Sequence, residues 1–207
     1  MIDFVPLLKI LPISTLAMMS PGPDFLIVSS TALSRGRAHG IQAAVGIATG
    51  VLIYSTLALL GIAALLEQAL WLAIALKVLG GLYLIYLGIA AWRSTFTSSG
   101  KTPPPKTAKA RSAYVSGLLT NLTNPKFIAF CTSIFVFALT PETNLETKVA
   151  LIAMAGISPL IWFSLVATVL SRPAMRARYQ QARKTIDRIA GSIMILFGIK
   201  LVSSAAD

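Results

Sequence analysis

Ser20-Pro21-Gly22-Pro23-Asp24-Phe25 stands inside a predominantly apolar stretch, residues 4–34. Two prolines remove two amide donors and clash with the preceding turn, and the glycine between them relaxes the backbone. A helix running through this stretch has to break here. A broken backbone inside a membrane is tolerated only against protein or a water-filled cavity. Asp24 follows the break at once, so it falls in the first turn of the next half-helix, where the helix dipole favours a carboxylate. Pro21, Gly22 and Pro23 are therefore read as a helix break, and Asp24 as the group that the break serves.

Working outward, the runs 41–66 and 149–171 carry no charge, 69–92 carries only Lys77, and 113–140 only Lys126. A shorter run, 189–206, carries Lys200. About 20 apolar residues cross a bilayer as a helix. With 4–34, six spans are expected. Hydrophobic residues make up 56% of the 207 residues and charged ones 12%, where a soluble chain has about 25% charged. The mean hydropathy of +0.77 agrees. The first run is too long for a secretory signal, and it lacks a basic start and a clean cleavage site. Strands would alternate apolar and polar residues, so the fold class is all-α and polytopic.

The net charge is +11, but its placement is topological. Thirteen of the 18 Lys and Arg residues fall in the connections after runs one, three and five. The alternate connections hold Glu67, and Glu142, Glu146 and Lys148. The positive-inside rule puts the basic connections in the cytoplasm and both termini outside. Membrane lipid is the partner for this charge, and no nucleic acid is expected, since no soluble part is left to bind it. The connection 94–111 is rich in Ser, Thr, Pro and Lys and reads as a flexible cytoplasmic linker. It separates residues 1–93 from 112–207, three spans each. An odd number of spans per half inserts the halves in opposite senses, the inverted-repeat plan of many secondary transporters.

The halves echo each other once. Pro125-Lys126-Phe127 matches Pro23-Asp24-Phe25 at a constant offset. Pro125 breaks the fourth span as Pro21 and Pro23 break the first. Lys126 lies far from both ends of its span, beyond snorkelling reach, and a charge there costs about 2.5–3.5 kcal/mol even on the lenient insertion scale. It needs a partner or water. Two readings stand side by side: an Asp24–Lys126 ion pair that holds the halves together, and two charges that face a substrate cavity. Asn121 and Asn124 either cap the break or touch substrate. Gly46 and Gly50 give the second span a smooth face for helix packing, and Tyr54, one turn on, is a candidate cavity residue. The small-residue faces also suit a homodimer.

These residues resemble a family. Pro21-Gly22-Pro23-Asp24, then Ser34-Arg35-Gly36-Arg37 with Gly40, the second-span Gly46 and Gly50, and Asn124-Pro125-Lys126 together look like the LysE/RhtB family of amino-acid exporters, over the whole chain in span count and motif order. The resemblance implies export of an amino acid or similar small zwitterionic or cationic metabolite across the bacterial inner membrane, driven by proton exchange. Asp24, Lys126, Asn124, Asn121 and Tyr54 are then the expected substrate contacts, and Asp24 carries the coupling proton. No phosphate-binding loop is present, so the energy source is an ion gradient. No cofactor and no enzymatic activity are expected: the one histidine, His39, lies in a connection, and no metalloprotease motif occurs. The alternatives are a divalent metal-ion transporter, for which only Asp24 and Cys131 qualify as ligands inside the spans, and a membrane assembly subunit that transports nothing.

Overall fold

The computed structural model describes residues 1–19, 22–68, 70–96, 112–140 and 143–203. Among them are eight helices: α1 (Phe4–Met19), α2 (Pro23–Arg35), α3 (Arg37–Gln68), α4 (Leu70–Ser94), α5 (Ala113–Leu122), α6 (Pro125–Ala138), α7 (Leu145–Leu170) and α8 (Pro173–Ser203). No strand occurs among the described residues. The order is two short helices and two long ones, then the same again.

By length and composition, Arg37–Leu59 of α3 and all of α7 can cross a membrane, and α1 with α2, bent by 55° at their junction, form a third such unit. The outer surface carries large apolar side chains, among them Leu8, Leu57, Leu79, Ile161 and Leu196. The interior holds two apolar clusters. One gathers Leu84, Phe130, Phe135, Leu151 and Phe197, the other Val28, Ala43, Ile47, Phe163 and Ala167, and Phe127 packs against both.

Two connections differ from the expectation. The basic stretch after α7 is no loop, because α8 runs unbroken from Pro173 to Ser203. Proline suits a first helical position, and the Ala, Met, Arg, Gln and Lys that follow are strong helix formers with no glycine before Gly191. The connection after α2 shrinks to Gly36, whose φ of 89° is the left-handed region that glycine adopts without strain. Residues 94–96 of the linker segment finish α4: Thr95 is buried and donates through Oγ1 to the Trp92 carbonyl at 2.8 Å. The rest of that segment, like Ser20 and Pro21, lies outside the described residues.

Glycines set the closest helix contacts. A Cβ at Gly46 would overlap the Tyr114 carbonyl of α5, and one at Gly117 the Ala43 carbonyl of α3. Along α4 and α8, Gly88 faces the Gly191 carbonyl and Gly81 the Gly198 carbonyl, so these helices run antiparallel. A backbone carbonyl cannot turn away as a side chain can. Gly117→Val should therefore lower stability by about 1–3 kcal/mol, read as earlier thermal unfolding in mild detergent. Gly61→Ala, which meets nothing within 4 Å, should not lower the transition and should raise stability by up to about 1 kcal/mol, because Ala is the better helix former.

Candidate functional site

The site forms where the two helix breaks meet. At the first, Gly22 is the extended N-cap of α2 and Pro23 its first residue, and no side chain caps the end. Asp24 sits in that first turn. At the second, Asn124 caps α6, its side chain accepting from the Lys126 amide at 3.1 Å and the Phe127 amide at 3.4 Å. Pro125 is the first residue of α6. Sequence position and helical position thus coincide for the two Pro-X-Phe triplets.

Asn121, in the last turn of α5, is fully buried and donates through Nδ2 to Asp24 Oδ2 at 2.9 Å. Asn124 lies beside the same carboxylate. Asp24 Oδ1 is buried and has no hydrogen-bond partner. Lys126 lies against the bare backbone of Gly22: a Cβ there would stand 3.6 Å from its Cδ and 3.7 Å from its Nζ. Asp24, Lys126, Asn124 and Gly22 line one cavity of about 100 Å³, with Ser55 and Phe127 also on its wall. The cavity joins a fixed anion, a fixed cation and apolar surface, which is what orients a small zwitterion.

Asn121 stands behind the carboxylate rather than on the cavity wall. Gly50 makes room for it, since a Cβ at position 50 would come within 2.6 Å of Asn121 Oδ1. Tyr54 does not line the cavity. Its hydroxyl donates to the Leu122 carbonyl at 2.8 Å, so it satisfies the frayed end of α5, and its ring edge rests on Phe127. Sequence reasoning could identify Tyr54 as polar and near the midplane but not which way its side chain points.

One buried charge escaped the sequence reading. Asp187 of α8 is 3% exposed; its Oδ2 accepts from Ser94 Oγ at 3.4 Å and lies 3.7 Å from Arg183 Nε. Asp187 and Asp24 are both near enough for their charge to be felt at the Lys126 ammonium. The signal was there: Asp187, Ala190, Gly191, Met194, Phe197, Gly198 and Leu201 follow helical spacing, all buried. Reading 172–188 as a loop hid it. One turn-pair earlier on α8, Tyr179 stacks on Phe25 at 4.8 Å.

The Asn121 contact is open to test. Asn121→Leu leaves the buried Asp24 carboxylate without its donor, a loss of about 1–3 kcal/mol. Tyr54→Phe removes one hydrogen bond outside the cavity and should cost about 1 kcal/mol of stability. Thermal unfolding of both variants in detergent, beside transport at matched abundance, separates a site role from a packing role: Asn121→Leu should lose more transport than its stability loss explains, and Tyr54→Phe should not.

Known proteins place the chain in a family. The chain matches the LysE type translocator family over residues 15–205. It is 36% identical over 200 residues to the threonine efflux protein of Escherichia coli (strain K12), covering 95% of this chain and 97% of that one. Against the threonine efflux protein of Salmonella typhimurium the identity is 36% over 191 residues, 91% and 93% of the two chains. Against the membrane protein YahN of Escherichia coli (strain K12) it is 31% over 190 residues, 90% and 84%. No solved structure matches the chain. With a match that spans nearly its whole length, helices apolar enough to cross a bilayer and an apolar exterior, the chain belongs to the LysE type translocator family and is a multi-pass membrane transport protein, not an enzyme.

Proposed function

We propose that this protein is a secondary exporter of small neutral amino acids in the bacterial inner membrane, working by proton antiport. The observation that carries the reading is the joint lining of one cavity by the Asp24 carboxylate and the Lys126 ammonium at two proline breaks. The substrate ammonium meets Asp24 Oδ1, the oxygen without a partner. The substrate carboxylate meets Lys126 and the half-helix ends. The threonine efflux relatives favour threonine as the first substrate to try.

Antiport follows from burial. A carboxylate in a low-dielectric cavity is costly unless paired or neutralised. A substrate ammonium and a proton both neutralise Asp24, and they compete for one group. When the amino acid leaves outward, a proton takes its place and is carried back.

The architecture that suits this cycle is six spans in two inverted repeats. The first span is α1 with α2 and the fourth α5 with α6; α3, α4, α7 and α8 are the others. The repeated order of helices and the equal placement of Pro23 and Pro125 at helix starts support it. In this topology both termini are external and residues 97–111 are cytoplasmic. Single cysteines reacted with an impermeant thiol reagent in intact cells test it: labelling at position 104 from outside would overturn the inverted arrangement.

Export is tested with cells preloaded with threonine and a panel of other amino acids. Asp24→Asn leaves Lys126 short of a buried counter-charge, a loss of about 3 kcal/mol or more. If that loss falls on the transport step, efflux drops a hundredfold or more. The exchange Asp24→Lys with Lys126→Asp separates orientation from scaffolding. It should insert yet remain inactive, because ammonium and carboxylate each meet the wrong charge. Near-normal efflux by the exchanged protein would reduce the pair to scaffolding.

A further inference from the structure

Phe25 completes the Pro23-Asp24-Phe25 triplet, and the transport reading makes no use of it. It is buried and lines two cavities, the central one and a second of about 160 Å³ among α1, α2, α7 and α8. Helix α7 gives their order. Leu151, Met154 and Ser158 line the central cavity, and Val166, Val169 and Leu170, further along, line the second. The changeover falls at Trp162 and Phe163, chain neighbours of which Trp162 lines the second cavity and Phe163 the central one. Helix α1 repeats the order, with Ile10 and Ala17 on the central cavity and Met19, its last residue, on the second. The cavities therefore stand in series, with Phe25 in the wall between them.

The second cavity lies along the end of α7 that runs into the connection bearing Arg172, a cytoplasmic connection in the six-span topology. It is thus on the cytoplasmic side of the central cavity. Its walls are mainly apolar, with two exceptions. Trp162 Nε1 and Tyr179 Oη are both buried and have no hydrogen-bond partner. A buried donor that goes unmade costs its full desolvation, so two of them on one cavity point to a ligand that brings acceptor oxygens. Tyr179 also stacks on Phe25 at 4.8 Å, so one of the donors belongs to the side chain that holds the wall. An apolar cavity of about 150 Å³ takes a benzene-sized molecule, and the second cavity has room for a small amino acid.

We propose that the second cavity is the cytoplasmic entry site of the transporter: it holds the amino acid by its carboxylate at Trp162 Nε1 and Tyr179 Oη, and Phe25 is the partition between it and the central site. The apolar walls take the side chain of a small neutral substrate. Asp24, the residue before Phe25 and the anion beyond the partition, draws the ammonium end forward. When the Phe25 ring leaves Tyr179, the molecule advances ammonium first, and its carboxylate passes from the two donors to Lys126. The ring then closes behind it and separates the central site from the cytoplasm. The proposal rests on the transport reading and adds the route by which substrate reaches the site.

Everted membrane vesicles, with the cytoplasmic face outward, test both parts. Threonine uptake under an imposed proton gradient reads the donors. Trp162→Phe combined with Tyr179→Phe should raise KM several-fold and leave the maximal rate near wild type. Thermal unfolding in mild detergent should come no earlier, since neither donor bonds within the fold. An unchanged KM would give the cavity to lipid and overturn the proposal. So would a raised KM that comes with earlier unfolding and a lower maximal rate, the mark of a packing defect. Cys131, the single cysteine of the chain, lines the central cavity and reads the partition. An impermeant methanethiosulfonate reagent should modify it several-fold faster in Phe25→Ala than in wild type from the cytoplasmic face, and no faster in right-side-out vesicles. Phe25→Leu, which keeps more of the packing, should fall between the two. No acceleration in either variant, or equal acceleration from both faces, would overturn the proposal. Labelling requires no amino acid, so the expected labelling pattern without uptake of any amino acid by wild-type vesicles would uphold the partition and count against the transport reading alone.

Discussion

Asn121 Nδ2 donates to Asp24 Oδ2 at 2.9 Å, and much of the interior is arranged so that it can. A carboxylate inside a membrane protein needs donors or a counter-charge, since its bare burial costs far more than a fold can absorb. Asn121 is fully buried in the last turn of α5. The helix ends one residue later. The Asn124 cap and Pro125 end it by starting a new helix, and Tyr54 takes up the Leu122 carbonyl that the ending exposes. Three polar side chains that look unrelated along the chain thus serve one carboxylate.

The two breaks use the same backbone device with different caps. Each has proline at the first helical position, which costs no hydrogen bond there. Asn124 fills its cap position with a side chain that binds two amides. Gly22 leaves its cap position empty, and the Lys126 side chain packs beside it, at ordinary van der Waals distance from where a Cβ would stand. A charge from one half thus rests against the break of the other.

How much of this was legible follows from which residues carry a cost on their own. A single proline is not decisive, since Pro12 and Pro159 lie inside α1 and α7, but the Pro21-Gly22-Pro23 cluster and Pro125 each stand beside a charge, and a charge at the depth of Asp24 or Lys126 is expensive whatever surrounds it. These features could be read from one sequence, and with them the all-helical membrane fold and the place of the candidate site. Asn121 and Asn124 were legible as polar residues at depth, but their separate tasks, one behind the carboxylate and one capping α6, depend on helix rotation. Tyr54 shares its helix with Gly46 and Gly50 and still points its hydroxyl at the backbone of another helix. Asp187 was hidden by its neighbours. Five basic residues between Arg176 and Arg188 look like a solvated loop, and only the continuity of α8 turns Asp187 inward.

Gly46 and Gly50 show why packing and site chemistry cannot be assigned to different residues here. Gly46 lets α5 approach α3 until the Tyr114 carbonyl lies where a Cβ would be. That approach sets the separation of the two backbones. One turn along, the same separation brings Asn121 onto Gly50, with no space for any larger residue. Asn121 is pinned from behind by glycine and from in front by Asp24, so its amide cannot swing away from the carboxylate. A side chain at position 50 would act on the site without touching the cavity, by pushing a donor off its acceptor. The glycine face is at once a helix contact and the back wall of the anion site, and the position of the carboxylate is inherited from how closely two helices can pack.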